Sequence, residues 1–473
     1  MLTNFPVNAY IVTMTMWMPQ FDRATGPVYQ AIANALAEDI SKGRLSSGQR
    51  LPTHRELARR LGVTIGTITR AYGEAERRGL VAATVGRGTF VNAPTGPMRK
   101  LAEVDAGIID LRSNYPALAA SASALSQILV SLAHDPGIAD LLRYQDHAGL
   151  MRHRAAGAQL IARSGMALAP ERILVTAGGQ HAIVVALLTL AQPGDVVLTE
   201  ELTYHNFKAA AQRLKLRLHG LPLDHEGLIP EALEEACRKL SPRVLYCTPT
   251  LQNPTAAIMS EARRMRIAEI AASHGVTILE DDILGFLAPE HRPLAAFASG
   301  PACYLSSVSK SFAPGLRLGF LAVPEGQGAR FAEAIRMTCW MASPLAGEIV
   351  CRWIEDGTGE RLIAAQREEN AARIRIAGER LGPLMPQSHP AAAHLWLRLP
   401  APWRADDFQK EAFSAGVALT AAEPFAVGVP APEAIRICLG AAPSRPLLDK
   451  ALAAIARLAQ SPARSDEISS SIL

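Results

Sequence analysis

The sequence predicts a chain of two unlike parts: a small, mainly helical unit closed by a β-hairpin, and a large α/β unit whose mostly parallel sheet carries a smaller α+β lobe. Three observations lead there. At 473 residues, 49% of them hydrophobic, the chain is too long for one ordinary core and has apolar content for two or three. Residues 27–91 show three runs of helical spacing and then two short strand-like runs about a glycine turn. Beyond residue 107, strand-like and helix-like runs alternate, the pattern of a parallel sheet covered on both faces.

In the first unit Val28, Ile32, Leu36 and Ile40 recur at helical spacing, and Gly43 stands where that helix would stop. The second helix opens at Thr53, because Thr53-His54-Arg55-Glu56 has the capping-box form T-x-x-E, and runs through Leu57, Ala58 and Leu61 to Gly62. The third begins near Thr64 and carries Ile65, Ile68, Tyr72 and Ala75 on one face. After Gly79, LVAATVGRGTFV reads as two strands around Gly86-Arg87-Gly88. Three helices and a hairpin in this order form a winged helix-turn-helix. Between Arg23 and Val91, eleven Lys or Arg stand against five Asp or Glu, a balance of +6 in a chain whose net charge is +4. The remainder therefore sums to −2, and the basic charge is concentrated where a nucleic-acid contact needs it.

Helix pairs of this kind also occur as plain packing units, so the exposed residues decide. Arg55, Thr64, Thr67 and Arg70 fall at helix starts or on the polar face, and Arg87 tips the wing. Arginines and helix N-termini hold phosphates, while side chains of the third helix reach base edges in the major groove. With LPTHRELA and VGRGTFV at the family's spacings, this segment resembles the GntR family. The resemblance implies duplex DNA as partner.

The segment 92–107, with PTGPMRK and little apolar periodicity, reads as a linker. Strands are expected near Ile173, Val196, Leu216, Val244, Val276, Tyr304 and Gly319. A long helical run from Leu345 through Arg380 and the strand-like HLWLRLP from His394 belong to the smaller lobe. The expected division is a DNA-binding domain at 23–91, a linker at 92–107 and a large α/β domain at 108–460, followed by a disordered Ser-rich tail at 461–473. Within the large domain the big lobe spans about 150–340, and the small lobe spans about 108–149 and 341–460.

Chemistry is concentrated in the stretch from Ala302 to Val323. Two apolar strands there enclose Ser306-Ser307-Val308-Ser309-Lys310-Ser311, with Arg317 just before the second strand. A lone loop lysine is ordinarily a solvated charge. Beside hydroxyls at Ser307 and Ser309 and the Arg317 guanidinium it becomes an amine next to a phosphate site, which describes pyridoxal 5'-phosphate. In VTILEDD an apolar strand ends in acids, and Asp281 could keep the cofactor's pyridine nitrogen protonated. In ILVTAGGQ a strand runs into Gly178-Gly179, which let backbone N–H groups approach a phosphate closely.

With Tyr204 in ELTYHNFK and Asn253 in LQNPT added, the segment from Leu111 to Leu458 resembles the fold type I aminotransferases. The resemblance implies Lys310 as the Schiff-base lysine, Asp281 at the pyridine nitrogen, Asn253 on the phenolic oxygen and Tyr204 stacked on the ring. Gly178, Gly179, Gln180, Ser307 and Arg317 would surround the phosphate. Arg436 in AIRICLG would grip a substrate carboxylate, and Tyr144 in LLRYQDHAG would reach the phosphate of a partner subunit. One departure stands out: after Asp281-Asp282 the family usually has a tyrosine, and Ile283-Leu284-Gly285 has none.

A GntR head joined to such a domain resembles the MocR regulators over nearly the whole chain. That resemblance implies a cytoplasmic homodimer that senses an amino compound by aldimine exchange at Lys310. The alternatives are an active transaminase fused to a DNA-binding domain and a regulator that has lost its cofactor. Six scattered cysteines without CxxC spacing read as reduced. The longest apolar run, near Ala182 to Ala191, is too short for a bilayer, and Ala9 to Met18 lacks the basic flank of a signal peptide. Several methionines before residue 19 leave a later start than Met1 open. His181, His205 and His225 are too scattered for a metal site.

Overall fold

The structure, a computed structural model, describes residues 17–21, 27–42, 44–45, 49–78, 80–84, 88–91, 107–116 and 118–461. Arg87, the linker up to residue 106 and the tail beyond residue 461 lie outside the described residues. The backbone divides into two compact units, Met1–Glu103 and Val104–Leu473.

In the first unit α1 (Val28–Ser41), α2 (His54–Leu61) and α3 (Ile65–Arg77) precede an antiparallel hairpin, β1 (Val81–Thr84) with β2 (Gly88–Val91). Caps set the helix ends. Thr53 Oγ1 accepts from Glu56 N at 3.3 Å, while the Glu56 carboxylate turns to Arg59 and Arg60, so only half of the capping box forms. Gly62 ends α2 at φ 63°, a left-handed turn that glycine adopts without a Cβ clash. Thr64 then starts α3 by accepting from Thr67 N at 3.1 Å. The core gathers Trp17, Ile32, Leu36, Leu57, Ile68, Tyr72 and Ala75. Ile65, expected on the buried face, is instead 49% exposed, because it occupies the first turn of α3 ahead of the helix contacts.

The second unit is built on a seven-stranded sheet in the order Ile173–Thr176, Gly319–Ala322, Ala302–Ser307, Thr277–Asp281, Val244–Cys247, Val196–Glu200, Arg217–Leu221. These are the seven expected strands. All run parallel except Gly319–Ala322, which pairs antiparallel with both neighbours. Every residue of Ile173–Thr176, Val196–Glu200, Val244–Cys247 and Gly319–Ala322 is buried. Such unbroken burial, mostly of apolar side chains, arises because helices cover both faces. Leu174, Tyr246, Leu279 and Leu305 pack into one core; Ile173, Val175, Tyr304 and Phe320 face another.

The smaller lobe centres on Ala434–Cys438, flanked antiparallel by His394–Arg398 and Thr420–Ala421. Its core takes in Ile109, Leu111, Leu395, Ile437 and Leu452. The expected single helical run after Leu345 is two helices, Pro344–Glu355 and Thr358–Leu381, broken at Gly357 with φ 76°. The first packs Val350 and Trp353 beside the large sheet, and the helix Ala119–Ala133 does the same with Ile128 and Leu132. Both had been expected in the smaller lobe, and their apolar faces draw them to the larger core.

Candidate active site and nucleic-acid interface

Lys310 lies in the short connection between the strands Ala302–Ser307 and Gly319–Ala322. Ser307 caps the one-turn helix Val308–Ser311 by accepting from Ser309 N at 3.2 Å, and its hydroxyl lies 3.1 Å from Leu318 O. The chain then turns at Pro314–Leu316, and Arg317 adopts φ 49° before the return strand begins. A non-glycine residue is held there only when its surroundings fix it. The return brings the guanidinium to Gly178, where an added Cβ would lie 2.7 Å from Arg317 Nη2 and φ is 88°. At Gly179 a Cβ would sit 3.5 Å from that of Ser307, at the start of the helix Gly179–Leu190. Gly178, Gly179, Ser307 and Arg317 thus form one cup of backbone amides, hydroxyl and guanidinium, a set that suits an anion.

Beside this cup is a cavity of about 480 Å³ that brings together Tyr204, Asn253, Asp281, Lys310 and Arg436, with Ile283 and Leu284 on its wall. The Lys310 amine donates to Asn114 O, and burial pushes it down to about 8. Burial pushes Asp281 the other way, up to about 6, against the Tyr246 hydroxyl that donates to Oδ2 at 2.7 Å. Its Oδ1 is buried without a partner. Arg436 donates to Asn253 Oδ1 and to Arg112 O, each at 2.7 Å, and its guanidinium carbon stands 4.8 Å from the Phe425 ring centroid. With Oδ1 of Asn253 taken, its amide nitrogen is the group left to donate into the cavity. Tyr204 accepts from Asn206 Nδ2 at 2.9 Å, and burial raises its phenol.

Gln180, the residue after Gly179 at the start of that helix, donates to Asn206 O at 3.3 Å and, like the rest of the cup, lies outside the cavity lining. One expected residue stands apart: Tyr144 is 81% exposed, edge-on to Trp340 at 5.7 Å. Sequence reasoning missed a buried support. His394 is bonded to Gln252 O at 3.1 Å and to Asn114 Nδ2 at 3.2 Å, and Asn114 in turn carries the carbonyl that meets Lys310. Burial pushes His394 down to about 3, so the ring is neutral; Nδ1 accepts from Asn114 and Nε2 donates to Gln252. Nothing local marks Asn114 for this role. Tyr246 did carry a signal, since a phenol within a wholly apolar buried strand must find a partner.

In the first unit Arg55, Thr64 and Arg70 are exposed and Thr67 is half-buried. The Thr64 and Thr67 hydroxyls lie 2.9 Å apart, at the start of α3. Arg87 lies outside the described residues.

Residues 106–455 match the family model for aminotransferase class I and II, and residues 28–91 match that for bacterial regulatory proteins of the gntR family. The HTH-type transcriptional regulator YdeF of Bacillus subtilis is 31% identical over 96% of this chain and 99% of its own. A probable rhizopine catabolism regulatory protein, MocR, of Rhizobium meliloti is 27% identical over 74% of this chain and 76% of its own. Among solved structures, the alpha-aminoadipate aminotransferase LysN of Thermus thermophilus, complexed with N-(5'-phosphopyridoxyl)-L-leucine, superposes with a TM-score of 0.66 at 26% identity. That superposition covers 74% of this chain and 92% of LysN. A kynurenine aminotransferase of Pyrococcus horikoshii shares the fold with a TM-score of 0.69 at 24% identity, over 75% of this chain and 91% of its own.

Proposed function

The chain belongs to the class I and II aminotransferase family and, through its N-terminal unit, to the gntR-family regulators, and from that premise we propose a DNA-binding regulator that senses an amino compound at a pyridoxal phosphate bound beside Lys310. The observation that carries the reading is the gathering of Lys310, Asp281, Asn253 and Arg436 around one cavity next to an anion cup. The residues fit the cofactor. Asp281 has a buried oxygen without a partner, and at Gly178 a side chain would strike Arg317.

Pyridoxal phosphate, when bound, supplies an aldehyde that condenses with amines and a ring that withdraws electrons. Gly178, Gly179, Ser307 and Arg317 would hold the phosphate, Asp281 the ring nitrogen, the Asn253 amide the ring oxygen, and Tyr204 the ring face. Lys310, shielded from water, reaches its unprotonated, nucleophilic form near neutral pH. Arg436 keeps Nε without a partner and further N–H groups on both Nη atoms beside its bonds to Asn253 and Arg112, so it can offer a bidentate fork to a ligand carboxylate. Such a contact ties ligand binding to the smaller lobe, since Arg436 sits on its central strand. Differential contacts of this kind are what a ligand needs to bias two conformations, typically by ~1–3 kcal/mol.

DNA would meet Arg55, Thr64, Thr67, Arg70 and the wing around Arg87, with the domain boundaries as read from the sequence. A second copy of the chain is the partner that Tyr144, Leu142, Met337 and Trp340 await, all of them large apolar side chains left exposed. A protein reading duplex DNA with six free cysteines suits the cytoplasm, and among the described residues no helix is long and apolar enough to cross a membrane. A complete transaminase is the second reading, favoured by the presence of every required group and opposed by Ile283 and Leu284 where the family carries a tyrosine.

The test is spectral and catalytic. The protein loaded with pyridoxal phosphate is expected to show a visible absorbance band that Lys310→Ala abolishes and that an effector amine shifts, with no sustained keto-acid formation from a panel of amino acids. Steady turnover at ordinary enzymatic rates would replace the sensing reading with the catalytic one.

A further inference from the structure

Gly178 and Gly179 are the least constrained part of the anion cup. Neither carries a Cβ, Gly178 stands at φ 88°, and it caps the helix Gly179–Leu190 with no side chain of its own. Two bonds close the turn, from Gly178 N to Thr176 O at 2.8 Å and from Thr176 Oγ1 to Gly178 O at 3.3 Å. These reach no further than the strand the turn leaves. What ties the turn to other elements is Ala177, whose N–H donates to His181 Nδ1 at 3.0 Å and whose carbonyl accepts from Arg317 Nη2 at 3.4 Å. Arg317 belongs to the cup, so its guanidinium is shared between Ala177 and any anion. The His181 imidazole has no such second duty.

His181 is itself anchored. Its Nε2 lies 2.6 Å from Thr338 Oγ1, in the last turn of the helix Gly328–Cys339, and the Thr338 hydroxyl donates to Ala334 O at 2.7 Å. With its hydrogen given away, the Thr338 oxygen accepts from His181, so Nε2 carries the ring proton and Nδ1 is the acceptor for Ala177 N. Burial pushes the imidazole below its ordinary range, which favours this neutral form. Cys339 Sγ, 3.8 Å from the same Nδ1, is a weaker donor than the amide. The ring is thus a rigid spacer between Thr338 and Ala177, two residues that nothing else on the turn connects.

We infer that His181 is a positioning residue for the phosphate, aiming the Ala177–Gly178–Gly179 turn, and with it the N–H groups of the first helical turn, into the cup. It acts through the backbone. The first bond of the helix itself is that from Ala182 N to Gly178 O at 3.1 Å, so the amides before Ala182 are the ones the turn directs. The inference rests on the pyridoxal phosphate reading above and adds to it the side chain that holds the phosphate half of that site in place.

The experiment titrates the full chain with pyridoxal phosphate, with pyridoxal, which has the same ring and aldehyde but no phosphate, and with inorganic phosphate. Absorbance follows the two aldehydes and calorimetry the phosphate. His181→Ala is expected to weaken pyridoxal phosphate and inorganic phosphate about tenfold, the loss of roughly one hydrogen bond, and to leave pyridoxal within about twofold. His181→Asn, whose Oδ1 stands in for Nδ1, should recover most of the loss, whereas His181→Gln, which reaches toward Thr338 instead, should not. Thr338→Val keeps the imidazole but removes its anchor; its loss, in the same direction and about threefold, reports even if His181→Ala folds poorly. Equal losses for pyridoxal phosphate and pyridoxal would make His181 a general support of the cavity and overturn the inference. Unchanged affinities in both His181→Ala and Thr338→Val would overturn it too, since Thr176 and Arg317 would then hold the turn alone. So would an Asn variant no better than the Gln one. Failure of the pyridoxal phosphate reading shows separately, as the lack of a visible band with either aldehyde in the unsubstituted protein, and the inorganic phosphate titrations then decide on His181. An unsubstituted chain that holds none of the three probes overturns both.

Discussion

In the first unit Glu38, Glu56 and Glu74 sit at the surface, and Lys42, Arg60 and Arg78 respectively hold their carboxyls below the usual range. At the carboxyl ends of the large sheet Glu200 and Asp281 are buried, and burial pushes them up, to about 8 and about 6. The same residue types shift in opposite directions because one set is solvated beside cations and the other is desolvated. A surface built for a polyanion keeps its charges switched on and exchangeable. Carboxyls desolvated at the carboxyl ends of the sheet titrate closer to neutrality, where a small change of contact alters the protonation state.

The largest expected effect that would break this contrast lies at Glu200, whose Oε1 accepts from Thr248 N at 2.8 Å. Its carboxyl titrates at 4.5 in the unfolded chain and at about 8 when folded. The folded state therefore holds the extra proton between those values, and the stability this gives is full below the lower pKa and lost as pH rises toward the upper one. Glu200→Gln mimics the protonated form, so the variant should outlast the parent by a few kcal/mol at pH 8 and match it near pH 5, read by urea unfolding. Equal pH profiles would show that Glu200 is solvated after all.

Tyr246→Phe comes next. It strips Asp281 of its one bonded oxygen partner, and is expected to cost ~1–3 kcal/mol and to raise the carboxyl further, moving the pH midpoint of the bound chromophore upward. An unmoved midpoint would separate Asp281 from the ring. In the surface unit the corresponding change is smaller: Thr53→Ala removes the cap of α2 and should cost ~1 kcal/mol in the unfolding of that unit alone. The smallest effect sharpens the contrast most. Arg55→Ala should leave stability unchanged and lower the salt slope of DNA binding by about 1, uniformly across sequences. A sequence-dependent loss would instead make Arg55 a base contact.

Much of this architecture was legible beforehand because its signals are local. Six of the seven strands carried short apolar runs, the edge strand Arg217–Leu221 being the exception, Gly62 marked the end of α2, and the Lys310 connection carried its own hydroxyls and arginine within a dozen positions. What escaped depends on residues far apart in the chain. Asn114 and His394 meet near Lys310 only after the lobes pack. The break at Gly357 did carry a local signal, since Asp356-Gly357 is a turn dipeptide, but the apolar periodicity on both sides of it reads as one continuous run. The shift of Ala119–Ala133 to the larger core could not be read from an apolar face that fits either lobe.

The lone antiparallel strand of the seven-stranded sheet, Gly319–Ala322, has a consequence for how the molecule assembles. Because it turns back on its immediate predecessor, the ring of chain that encloses Lys310 is short, and closing it sacrifices little entropy. Asp281 joins through the neighbouring strand, whereas Arg436 waits for the sheet of the smaller lobe. Pulse-labelled hydrogen exchange during refolding should then protect amides of 302–322 before those of 434–438, with Lys310 seated early and Arg436 arriving last.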